Sequence, residues 1–214
     1  MTADDFIARH QSDWHAVWQS LAHRQGHPEL LDALVARYAE PHRHYHTLQH
    51  LDACLRHLPS LAAQATRPDE IAIALWLHDA VYVIGAADNE LCSANLARDL
   101  LLTAGVDAAT TERVHALIMA TRHDQAPQSR DQEILLDVDL GILGARAAVF
   151  DGYEQQIRAE YRSVPEPQFR ANRRRILQGF LARARIYHTQ LFFERYEAPA
   201  RANLARSISA LGGL

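Results

Sequence analysis

The stretch Glu70-Ile71-Ala72-Ile73-Ala74-Leu75-Trp76-Leu77-His78-Asp79-Ala80-Val81-Tyr82-Val83 is apolar on every face after its first turn. Such a segment reads as a buried central helix, since a helix at the surface would show a polar face. Pro68 falls in its first turn, and Thr66 and Asp69 predict a capped start. On either side the apolar residues recur at spacings of three and four. They predict helices over Ala3 to Leu21, Glu29 to Tyr38, Leu48 to Leu58, Asn89 to Ala104 and Ala108 to Thr121, the last capped by Asp107. Further helices are expected at Asp131 to Leu140, Arg146 to Arg162, Gln168 to Arg185 and around Leu191 to Leu211, punctuated by Gly105, Gly141 and Gly144. Convincing alternating strands are absent. The expectation is an all-α helical bundle, with residues 1–214 forming a single domain.

The chain has 214 residues, enough for one domain with a sizeable core. Hydrophobic residues make up 48% and charged residues 22%, which excludes disorder and a disulfide scaffold. With 22 basic and 26 acidic residues, the net charge of −4 argues against bulk capture of nucleic acid and against a polybasic membrane anchor, and points to a small partner. Every basic residue is Arg, so Schiff-base lysine and Walker lysine chemistry are excluded. Met1 to Asp5 carry acid where a signal peptide needs base. The uncharged apolar stretches also fall short of the roughly 18 residues of a membrane span. A soluble cytoplasmic chain with no membrane partner is expected. Cys54 and Cys92 form no CxxC and read as small core residues in a reducing compartment. The compositional excess is His, with 13 copies.

Within the apolar stretch, His78-Asp79 is the informative pair, because a buried carboxylate without a partner costs several kcal/mol. Something must compensate Asp79. A metal ion reached by both side chains would do so, and so would an Arg from another helix.

A second informative segment is Tyr45-His46-Thr47-Leu48-Gln49-His50. His-x-x-x-His places two imidazoles on one helical face, as in zinc peptidases, but Thr47 stands where those enzymes need a Glu base. Thr47 is a plausible N-cap for the helix from Leu48. His46 then lies just outside that helix and His50 in its first turn, so one can bind metal while the other faces substrate. On this helix Leu48, Leu51, Leu55 and Leu58 form the core stripe, with His50, Cys54 and His57 as a second stripe beside it.

A third segment holds Asp137 and Asp139, about 200° apart on a helix, so the two cannot share one role. One is expected to point into the apolar interior, and the other to cap or bridge.

The order His50, His78-Asp79, Asp139 resembles the H…HD…D signature of the HD-domain superfamily of metal-dependent phosphohydrolases. The flanks extend the likeness. Pro41-x-Arg43-x-Tyr45-His46-x-x-x-His50, Trp76-x-His78-Asp79-x-x-Tyr82, Asp88-Asn89-Glu90 and Asp137-x-Asp139-Leu140-x-x-Leu143-Gly144 are similar to a bacterial family of predicted HD phosphohydrolases. So are Glu160-Tyr161, Arg174 to Leu177, Ile186-Tyr187 and Ala200-Arg201-x-Asn203-Leu204 towards the C-terminus, so the resemblance covers nearly the whole chain.

The resemblance implies His50, His78, Asp79 and Asp139 as metal ligands, with Asp79 also serving catalysis. Mixed imidazole and carboxylate ligands suit Mn, Mg, Co, Ni, Zn or Fe without choosing among them. His46 matches the first His of the HNxxH element of cyclic-nucleotide phosphodiesterases, with Thr47 replacing Asn. That implies phosphate contact or protonation of the leaving oxygen, with Arg43 helping to meet the developing charge. Tyr82, His115 and His123 are expected to line the substrate pocket, the two histidines being able to extend the site to a second metal. The implied activity is hydrolysis of a small, nucleotide-like phosphate ester by attack of metal-activated water on phosphorus.

Two departures qualify the likeness. Ala80-Val81-Tyr82-Val83 follows the dipeptide where nucleotide-cleaving HD enzymes carry an acidic residue, and the Gly-Tyr-Pro element of cyclic-dinucleotide hydrolases is missing. A di-iron oxygenase using His115 or His123, and a nucleotide sensor without catalysis, are the alternative expectations. The Arg cluster at Arg170, Arg173, Arg174, Arg175, Arg183 and Arg185 spreads around a helix and reads as a solvated, salt-bridged face.

Overall fold

The computed structural model describes residues 1–23 and 28–212. Among the described residues the regular elements are ten α-helices and three short 3-10 segments, and there is no strand. The class is all-α. The chain divides into two compact units, Met1–Leu136 and Asp137–Leu214, with the boundary inside a helix. Among the described residues, no helix is long and apolar enough to cross a membrane.

The first unit contains α1 (Ala3–Ala22), α2 (Pro28–Tyr38), α3 (Leu48–His57), α4 (Pro68–Leu77), α5 (Asn89–Thr103), α6 (Ala108–Ala120) and most of α7 (Arg130–Asp139). As its all-round apolarity requires, α4 is central and packs against α1, α3, α5 and α6. Ile71, Ile73, Ala74 and Leu75 are wholly buried. Trp76 meets Trp14 at 5.0 Å and Phe6 at 5.6 Å between ring centroids, both edge-on. The caps predicted at Thr47 and Asp107 are present: Thr47 Oγ1 accepts from the Gln49 amide and Asp107 from the Thr110 amide.

Both ends of α4 differ from expectation. Arg67 occupies the N-cap position without a side-chain cap. The Thr66 amide donates instead to Asp131, and Asp69 accepts from Ser20. At the other end α4 stops at Leu77, not Val83, so His78-Asp79 lies at its C-terminal edge rather than within it. Side chains from elsewhere take over the backbone there. The Asp79 amide donates to the Tyr38 hydroxyl (3.3 Å) and the Val81 amide to Ser93 Oγ (3.0 Å). Asn89 closes the following loop by bonding both the N–H and the C=O of Val83. These partners satisfy groups that a longer helix would have paired internally.

In the second unit, the 3-10 segment Leu140–Gly144 and helices α8 (Ala147–Glu160), α9 (Glu166–Leu181) and α10 (Gln190–Gly212) pack on a buried set that includes Leu143, Phe150, Leu177, Tyr187, Phe192 and Leu204. The C-terminal sequence pattern serves this packing. Glu197 accepts from the amides of Ile186 and Tyr187 and pairs with Arg201, while Asn203 donates to the carbonyls of Leu143 and Ala145. Gly144 is required by close approach: a Cβ there would lie 2.5 Å from Tyr196 Cβ and 2.8 Å from Tyr196 O. Arg173 departs from the solvated face expected of the Arg cluster, being buried against Glu154 and the Tyr153 hydroxyl.

Candidate metal centre

The site is built where α3 begins and α4 ends. Thr47, in extended conformation, starts α3 at Leu48. His46 is therefore outside the helix and His50 in its first turn, as the spacing predicts. α3 is tied to α1 through Asp52, which meets His10 at 2.9 Å and Arg9 at 2.6 Å. Burial would raise the Asp52 pKa, but bonds with His10 and Arg9 outweigh it and hold the carboxyl below its ordinary value.

His50 and His78 are 5% and 2% exposed, and their Nε2 atoms face each other at 3.1 Å. Asp79 Oδ2 lies 3.2 Å from His78 Nε2 and 3.6 Å from His50 Nε2. The other ring nitrogens are engaged. His78 Nδ1 is 2.8 Å from the Leu75 carbonyl oxygen, which can only accept, so Nδ1 carries a proton and Nε2 is the nitrogen turned into the site. His50 Nδ1 is 3.0 Å from the Tyr45 hydroxyl. Imidazoles that bind metal are oriented this way, by a carbonyl or hydroxyl on the nitrogen facing away from the ion. Donors sharing one divalent cation at about 2.0–2.2 Å stand roughly 3.0–3.6 Å apart, so His50, His78 and Asp79 fit such an ion.

Asp79 is held as an anion. Burial alone would raise its pKa, but the neighbouring His78, His46 and His50 rings and the bond with His78 lower it well below the carboxylate range. The Arg that could have compensated this carboxylate is present but bonds backbone. Arg43 donates to the carbonyls of Asp79 (2.6 Å), Ala80 (3.4 Å) and His46 (3.3 Å), with Nε on Glu40 (3.0 Å).

That arrangement gives Arg43 a structural part. Its side chain is 0% exposed and pins the His46 turn to the His78-Asp79 turn, between the rings of Tyr38 and Tyr82. Replacing it with Lys keeps the charge but loses the fork of donors. Bonds to a charged group are typically worth about 1.5–3 kcal/mol each, so Arg43→Lys is expected to lower unfolding free energy by at least about 2 kcal/mol. Urea denaturation checks this, and an unchanged midpoint would contradict the pinning role.

His46 is half-buried, stacked on Tyr82 at 4.2 Å and edge-on to His50 at 6.2 Å. Tyr82 is 8% exposed and forms a wall behind it. His115 and His123 both belong to the first unit. His115 bonds with Asn95 and borders a cavity of about 300 Å³ together with Met119, Arg122 and Gln132. His123 sits in the turn after α6 with φ 56°. Among the described residues, neither belongs to a group of three or more metal-type donors.

Cys54 is buried, as a core residue would be, but its sulfur lies 3.8 Å from both ring nitrogens of His50. Its signal was the i, i+4 spacing from His50, which puts both on one face of α3.

In the second unit Asp137 is wholly buried and accepts from the amides of His188 and Thr189, both at 2.7 Å, just before α10. It is the inward carboxylate of its pair, and its work is structural. Asp137→Asn is expected to destabilise the fold, since an amide offers one acceptor to two donors, while leaving metal content unchanged. Asp139→Asn is expected to lower metal content with little loss of stability. Metal analysis and thermal unfolding of both variants check the division, and greater metal loss in Asp137→Asn would reverse it.

Set against known proteins, the chain matches no family model, no curated protein and no solved structure.

Proposed function

We propose that this chain is a metal-dependent phosphohydrolase of the HD type, acting on a small phosphate ester with nucleotide-like character. The observation that carries the reading is the convergence of His50 Nε2, His78 Nε2 and Asp79 Oδ2, with both Nδ1 atoms engaged from outside. Asp139 completes the ligand set on the sequence order. Asp137 is occupied by two backbone amides, which favours Asp139 of the two.

A bound divalent cation would supply an activated water and polarise a phosphoryl oxygen. The chain's own residues do the rest. His50 and His78 hold their rings in fixed orientation, and Asp79 adds negative charge to the ligand set. His46 stands outside the helix on the Tyr82 ring, half-buried, where it can donate a proton to the leaving oxygen or bond the phosphate. Arg43 and Tyr38 keep the two turns in register from behind.

The test is hydrolysis of a panel of nucleotides and phosphodiesters by purified protein loaded in turn with Mn, Mg, Co, Ni, Zn and Fe. Metal-dependent phosphate release from at least one class supports the reading. Nucleotide binding without turnover would favour a sensor. Two irons per chain with oxygen consumption would favour an oxygenase.

A further inference from the structure

We infer that the Cys54 thiol is a further donor of this centre, so that the site selects a borderline divalent cation such as Zn²⁺, Co²⁺ or Fe²⁺ over Mg²⁺. The inference rests on the metal-centre reading above and adds to it, because imidazole and carboxylate donors alone do not choose the metal.

Cys54 lies one helical turn beyond His50 on α3, on the same face, and is 1% exposed. Its sulfur is 3.8 Å from either ring nitrogen of His50. The donor atoms of His50, Cys54 and His78 all lie within 4.8 Å of one another. Sulfur and nitrogen bound to one tetrahedral ion, at about 2.3 and 2.0 Å, stand roughly 3.5 Å apart, so a small shift of the thiol brings it into contact. A cysteine filling core space alone would need only aliphatic neighbours. This one is set against two buried imidazoles whose ring nitrogens converge on the same region. Thiolate is a soft donor that favours zinc, cobalt and iron and is a poor ligand for magnesium.

The test begins with wild-type protein stripped of metal and reloaded with Co²⁺, read by absorption. A near-ultraviolet thiolate-to-cobalt charge-transfer band, lost in Cys54→Ser while the visible cobalt bands remain, is the expected result. Zn²⁺ affinity of Cys54→Ser and Cys54→Ala is expected to fall by at least about tenfold, the loss typical even of a residue that only orients a ligand. Their Mg²⁺ affinity should not move. If Co²⁺ binds to the wild type with visible bands but no charge-transfer band, Cys54 is not a donor while the His and Asp centre stands. If Co²⁺ does not bind at all, both readings fail. The wild-type spectrum decides between these even if a variant folds poorly.

Discussion

His78→Ala is expected to purify without stoichiometric metal and to lose metal-dependent turnover, while His78→Gln recovers neither. The ring of His78 is fixed by the Leu75 carbonyl on one side and presents Nε2 to His50 and Asp79 on the other. Removing a group that merely orients a ligand costs 10–100-fold in affinity, so loss of the ligand itself should cost more than about 100-fold. Equilibrium dialysis with a divalent metal reads this directly. The fold should survive, because α4 ends before His78 and buries Ile71 and residues 73–77 without it. If folded His78→Ala and Asp79→Ala both hold one metal per chain with wild-type affinity, the ligand assignment is wrong.

His46→Ala is expected to bind metal as the wild type does and to hydrolyse the best substrate about 10²–10⁴-fold more slowly, the usual contribution of one proton-donating side chain. The separation follows from where α3 starts. Thr47 caps the helix, which turns His50 inward at 5% exposure and leaves His46 half-buried on Tyr82. Rates must be compared at equal metal occupancy. Wild-type turnover by His46→Ala, or metal loss as deep as that of His50→Ala, would contradict the division between these two histidines.

The class and the helix order were legible from apolar spacing, since Ile71 and residues 73–77 are buried and need no distant partner to declare a central helix. The placement of His46 outside α3 and His50 in its first turn was legible too, because a Thr cap is a local signal. The end of α4 was not. Val81 and Val83 continue an apolar run, and what stops the helix is Tyr38, Arg43, Ser93 and Asn89, all distant in sequence from it or beyond it. The partners of Arg43 were not legible for a related reason. Its donors bond carbonyls of His46, Asp79 and Ala80, which become neighbours only after folding. The pair of aspartates could be separated by angle but not assigned, because the amides that Asp137 accepts come from residues 188 and 189.

The most direct test of the proposed function is a titration of chelator-stripped protein with the metal that supports the most turnover, measuring bound metal and phosphate release in the same samples. Phosphate release rising in proportion to occupancy, and levelling when the His50, His78 and Asp79 site is filled, is the predicted result. Full turnover by the stripped protein, or a filled site that releases no phosphate from any ester in the panel, would contradict it.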